Sequence, residues 1–125
     1  MKALMLISKN QIEIFNLDLT DKFIQKIIAI FRQKFPGYKF FKSPDETLQN
    51  QFSLLFDFCV KNKFTTSNDI IYFFHLCCKY NMEAQFFYEE AEFIDIFSYP
   101  DRSVKDKLFN FHMSLKYKNK WEQDH

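Results

Sequence analysis

Gly37 is the only glycine in this chain of 125 residues. Glycine adopts positive φ without steric cost, and the tight turns of β-hairpins depend on it. A chain this poor in glycine has few positions for such turns, which argues against a hairpin-rich β architecture. The same scarcity removes the phosphate-cradling loops, because a P-loop or a GxGxxG fingerprint needs several glycines close together. Most nucleotide-binding enzymes of the common kinds are removed with them.

Phenylalanine fills the space instead. There are 18 Phe, and aromatic residues make up 20% of the sequence. Part of the bias toward Phe, Lys, Asn and Ile is what an AT-rich genome would encode on its own. With 47% hydrophobic and 26% charged residues, the composition is that of a soluble globular protein and not of a disordered one. The length suits a single domain. Seventeen basic and sixteen acidic residues leave a formal charge of +1, which argues against a dedicated nucleic-acid binder.

The apolar start Met1 to Ile7 is too short for a signal-peptide core, since Ser8-Lys9-Asn10-Gln11 interrupts it. No stretch is long and apolar enough to read as a transmembrane helix, so no membrane role is expected. Cys59, Cys77 and Cys78 are odd in number, and two adjacent cysteines on a helix point about 100° apart. Reduced thiols and a cytoplasmic location are the expectation.

Helical periodicity runs through the chain. Ser8 can cap a first short helix over 9–16, with Ile12 and Phe15 on one face. Thr20-Asp21 can cap a second, in which Ile24, Ile27, Ile28, Phe31 and Phe35 form one stripe that ends at Pro36-Gly37. Ser43-Pro44-Asp45-Glu46 has the pattern of a capping box and opens a helix to about Lys61 that buries Leu48, Phe52, Leu55, Phe56 and Cys59. Thr66-Ser67-Asn68-Asp69 opens another, with Ile70, Phe73, Phe74 and Cys77 buried, Ile71 beside them and Asn81 as the stop. A short helix is expected over 89–97. After Tyr99-Pro100, Asp101 or Ser103 starts a last helix carrying Val104, Leu108, Phe111, Met113 and Leu115. Residues 1–115 read as one helical domain, an all-α orthogonal bundle of five to six helices, and 116–125 as a polar tail that frays.

Catalytic constellations are missing from this pattern. His75 and Cys78 share a helix face, but no second ligand pair follows and Cys77-Cys78 is not a CxxC, so neither a metal nor a cofactor is expected. Glu89, Glu90, Glu92 and Asp95 line a helix start, where the helix dipole favours acidic side chains as a solvated face. No Ser has a GxSxG context and no Cys has catalytic flanks. An enzyme is not expected.

Two segments interleave basic and aromatic residues, 35–42 and 116–121, the mixture by which proteins hold single-stranded nucleic acid. In the first, Phe40 and Phe41 read better as a loop plugged into the core, and in the second a solvated turn suffices. The more telling feature is Phe86-Phe87-Tyr88, placed between helices where at least one ring is hard to bury. Exposed aromatic residues mark the centres of protein–protein contacts. Phe86, Phe87, Tyr88, Glu89, Glu92 and Asp95 are therefore the candidate partner-binding residues. The same face would serve self-association as readily as a different protein.

The order of these features resembles a family of small helical proteins encoded in type VI secretion loci of Gram-negative bacteria, beside VgrG or PAAR spike genes and effector genes. The resemblance covers 5–115. It runs from Ile7-Ser8-Lys9-Asn10-Gln11-Ile12, through a helix ending in Phe35-Pro36, to the turn Asn62-Lys63-Phe64-Thr65. Asp69 and the aromatic-aliphatic helix 70–76 come next, followed by Phe86-Phe87 and the segment from Ser98-Tyr99-Pro100-Asp101-Arg102 to Leu108. The chain departs from the pattern at Lys61-Asn62-Lys63, where relatives carry Gly, and at Glu83-Ala84-Gln85, where they carry an Asp-x-Asp-Pro-like loop. The resemblance implies a non-enzymatic adaptor that binds a secreted effector or spike protein. The alternative it leaves open is an immunity protein that neutralises a cognate toxin through an acidic face. It carries over no catalytic residues.

Overall fold

The computed structural model describes residues 17–124. The helix expected over 9–16 and the Ile7 to Ile12 start of the resemblance lie outside them. The elements are α1 (Leu17–Lys34), a 3-10 turn (Lys39–Lys42), α2 (Asp45–Lys61), α3 (Ser67–Lys79), a single helical turn α4 (Phe86–Glu89), α5 (Ala91–Ser98) and α6 (Val104–Asp124). There is no strand among the described residues, and the protein is an all-α bundle. No helix among them is long and apolar enough to cross a membrane.

Each helix buries the stripe that its periodicity sets. On α1, Ile24, Ile27, Ile28 and Phe31 are buried and Phe35 is half-buried at its end. Pro36 disfavours helical geometry in the residue before it, and the last helix-type bond is Phe35 N–H donating to the Phe31 carbonyl at 2.7 Å. The expected Thr20-Asp21 cap lies inside the helix. Nothing between Leu17 and Thr20 breaks helical backbone, so α1 begins earlier.

The capping box at Ser43 does not form. Pro44 is itself the N-cap residue, at ψ 151°, and no side chain caps α2. The Ser43 N–H is spent on the Phe40 carbonyl, closing the 3-10 turn that places Phe41 in the core. Asp45 and Glu46 in the first turn of α2 supply negative charge at its N-terminus instead. On α3 the expected cap is present, with Thr66 Oγ1 accepting from the Asp69 N–H at 3.2 Å.

Helix ends show how a chain with one glycine stops its helices. At the end of α2, Lys63 sits at φ 68°; its N–H donates to the Val60 carbonyl, and the Phe64 N–H reaches back to the Cys59 carbonyl at 3.0 Å. At the end of α3, Asn81 sits at φ 56° and the Met82 N–H donates to the Cys77 carbonyl at 2.8 Å. Both are Schellman-type stops, for which glycine is the usual left-handed residue. Gly37 occupies neither. Its φ is not positive, and an added Cβ would meet nothing within 4 Å.

The buried side chains of these elements form one cluster, in which rings touch rings. Phe73 of α3 is central. Its ring lies 5.6 Å from Phe58, 5.7 Å from Phe64, 5.1 Å from Phe87, 5.8 Å from Phe97 and 5.7 Å from Phe111. Packed aromatic pairs contribute about 0.5–1.5 kcal/mol beyond their buried area. One member of this centre corrects the expected binding surface: Phe87 is 2% exposed and belongs to the core. The short helix expected over 89–97 is present as α5 at 91–98; Glu89 closes α4, and the extended Glu90 separates the two.

One smaller correction follows from packing. Ile71, expected beside the buried stripe of α3, is exposed, while Leu76 and Cys78 are buried in addition to Cys77. Beyond Leu115, where no Gly or Pro interrupts the backbone, α6 continues to Asp124.

Candidate functional site

An apolar-floored concavity lies where the end of α3, the α4–α5 corner and α6 meet. Tyr80, Asn81, Met82, Phe86, Glu90, Phe93, Leu115 and Lys118 line a cleft of about 350 Å³. Phe93 and Leu115 form its floor and are buried, and Phe86 is a half-buried wall. Lys118 Nζ stands 5.9 Å above the Phe93 ring, opposite in charge to Glu90 on the same rim. A shallower groove continues from it past Glu92, Ser114 and Tyr117, sharing Lys118.

The lip of the cleft is held by long-range bonds. The Tyr38 hydroxyl donates to the Met82 carbonyl at 2.7 Å, and the Lys39 N–H donates to Asn81 Oδ1 at 2.9 Å. Lys39 Nζ pairs with Glu83 and lies 5.5 Å from the Phe86 ring. Burial holds the Tyr38 phenol far above its ordinary range, so it stays protonated and keeps donating. The left-handed Asn81 aims this segment across the mouth of the cleft.

The structure therefore separates the six expected binding residues. Phe86 lines the cleft, and Glu92 flanks it, accepting a hydrogen bond from the Ser114 hydroxyl. Tyr88 is 51% exposed but stands on the other side of α4, against Phe58 and 5.9 Å from Lys61 Nζ. Glu89 and Asp95 are exposed. Phe87 is in the core. Sequence reading missed Tyr80, Met82, Phe93, Leu115 and Lys118, which come from three separate segments. The only local signal was the left-handed potential of Asn81.

The three thiols are free and buried. Burial raises the Cys78 pKa to about 12 and pushes Cys59 and Cys77 well above the usual thiol range, so all three are protonated and poor nucleophiles. No group of three or more His, Cys, Asp or Glu among the described residues is placed to hold a metal ion. The cleft offers an apolar floor with one carboxylate and one ammonium on its rim, an arrangement suited to seating a side chain or a short segment of chain.

No family model, curated protein or solved structure matches this chain.

Proposed function

We propose that this chain is a non-enzymatic protein-binding module that seats a segment of a partner protein in the cleft beside Phe86. The observation that carries this reading is the cleft itself: an apolar floor of Phe93 and Leu115, a partly exposed ring at Phe86, and the opposed charges of Glu90 and Lys118. A central ring with polar groups around it is the anatomy of a binding hot spot. On the resemblance to accessory proteins of type VI secretion loci, the partner is a secreted effector or spike component, met in the cytoplasm of the producing cell.

A second reading, as an immunity protein, rests on Glu89, Glu90, Glu92 and Asp95, all exposed along α4 and α5. Such a face would complement the basic cleft of a nuclease toxin.

The test is co-expression with the products of neighbouring genes, followed by size-exclusion chromatography with light scattering. A stoichiometric complex that weakens on Phe86→Ala by about 2 kcal/mol supports the cleft. A complex indifferent to Phe86→Ala moves the interface elsewhere, and a monomer with every neighbour overturns the reading. Protection of cells from the partner's toxicity would separate inhibitor from adaptor.

A further inference from the structure

On the outer side of the bundle, α3 and α6 lie along each other above the Phe73–Phe111 contact. Lys105 pairs with Asp69 at 3.3 Å near their N-terminal ends. Further along, the Tyr72 hydroxyl lies 3.1 Å from Nδ1 of His112. The Tyr72 ring stacks on His75 at 6.0 Å with an interplanar angle of 11°, and His75 meets the edge of Phe35 at 5.1 Å. Phe35, His75, Tyr72 and His112 thus make one continuous line of rings across α1, α3 and α6. Phe109, 61% exposed, precedes His112 by one turn of α6.

The charges around this line are one-sided. Lys34 Nζ sits 5.6 Å from the Phe35 ring, and Lys79 and Lys116 flank the seam from α3 and α6. Neither helix carries a carboxylate beside this line: residues 72–79 of α3 and 107–118 of α6 have none, Asp69 is engaged by Lys105, and Asp106 is in the first turn of α6. Burial lowers the pKa of both histidines. Lys34, Lys79 and His112 lower that of His75 further, and Lys79 and Lys116 that of His112. Burial first, and the neighbouring cations after it, favour the neutral rings; an incoming anion would offset the part that the cations contribute.

We propose that the α3–α6 seam is a second docking surface, that its occupant is an acidic segment of a partner protein, and that binding tightens on acidification. Carboxylates would lie against Lys34, Lys79 and Lys116, with an apolar side chain on Phe109. On protonation, His112 Nδ1 carries a proton and donates to the Tyr72 oxygen. Each histidine also presents an N–H to the occupant. Charge complementarity selects the partner. A single strand of nucleic acid would offer its own phosphates to the same lysines, and it is therefore the competitor against which the peptide is tested. The inference stands independently of the cleft beside Phe86.

The sign follows from linkage. An anion that raises the pKa of a histidine must bind more tightly when that histidine is protonated. Affinity therefore grows as pH falls through the bound-state pKa, and the gain is complete below the free-state value. Glutamate side chains, with pKa about 4.3, remain ionised over most of this range.

The experiment uses the full chain and a fluorescein-labelled Glu-rich peptide carrying one Phe, followed by fluorescence anisotropy from about pH 7.5 to about pH 5.5, the interval in which histidine titrates. The expected result is tightening as the pH falls, by up to about tenfold for each histidine whose pKa rises by about one on binding. His75→Gln with His112→Gln should abolish the gain, and Lys79→Glu with Lys116→Glu should abolish binding. Circular dichroism confirms that the variants are folded. The proposal is overturned if the wild-type chain ignores the peptide at both pH values. It also fails if the double histidine variant keeps the pH gain, or if a single-stranded oligonucleotide displaces the peptide at equal charge.

Discussion

The Tyr38 hydroxyl and the Met82 carbonyl, forty-four residues apart in sequence, are joined by a buried hydrogen bond of 2.7 Å. It fastens the turn before α2 to the segment that forms the lip of the cleft. Replacing Tyr38 with Phe keeps the ring but leaves a buried carbonyl without its donor. The expected cost is about 1–3 kcal/mol. Urea denaturation should show a lower midpoint with an unchanged slope; an unchanged midpoint would mean that Met82 finds another donor.

Lys63 holds a left-handed backbone that costs a non-glycine residue roughly 1–2 kcal/mol. Lys63→Gly should therefore raise stability by about 1 kcal/mol. Gly37 has ordinary φ and open space around its Cα, so Gly37→Ala should stabilise by about 0.4–1 kcal/mol through the unfolded chain. Thermal melts of the two variants and of their combination check both expectations, and the effects should add because the sites share no contact.

Phe73 is fully buried with rings on every side. Phe73→Ala should cost about 3–5 kcal/mol, a large fraction of the stability of a domain this size. A loss well below that range, measured by denaturant titration, would mean that the neighbouring rings collapse into the space.

The thiols give a prediction on pH. Burial places the Cys78 pKa at about 12 and the other two well above the normal range, so thiolate is scarce throughout the neutral and mildly alkaline region. Labelling with a disulfide reagent should be negligible for the native protein below that pH and rapid for all three cysteines in denaturant. Fast labelling of the folded chain would point to local opening around the end of α3.

Periodicity alone was enough to find α1, α2, α3 and α6, because each carries a long apolar stripe on one face. Their ends were legible where a side chain or a ring determines the backbone: Pro36 stops α1, Thr66 caps α3, and Asn81 ends it. The Ser43 box was misleading, since the 3-10 turn takes the Ser43 N–H and leaves Pro44 as the cap. Lys63 gave no sign of its left-handed geometry, because lysine has no preference for it. Phe87 was misplaced because its burial is decided by rings from distant elements, Phe58, Phe73 and Phe111, which local sequence does not show.

The candidate sites were harder to read for a different reason. Tyr80, Phe93 and Lys118 converge on the cleft from three elements, and Tyr72 meets His112 across forty residues of sequence. Spacing along a chain reports neighbours on one helix only. Phe86 was found because crowding by its own neighbours could be counted locally.

A core made largely of phenylalanine is also a magnetic environment. Ile24, Ile27, Leu55 and Leu76 are buried in the same cluster as the rings around Phe73. Ring currents from differently tilted aromatic planes should spread their methyl resonances over an unusually wide range of chemical shift. The folded chain then carries its own spectroscopic label, and any partner that shifts α3 or α6 will be registered in those methyl signals without a dye or a tag.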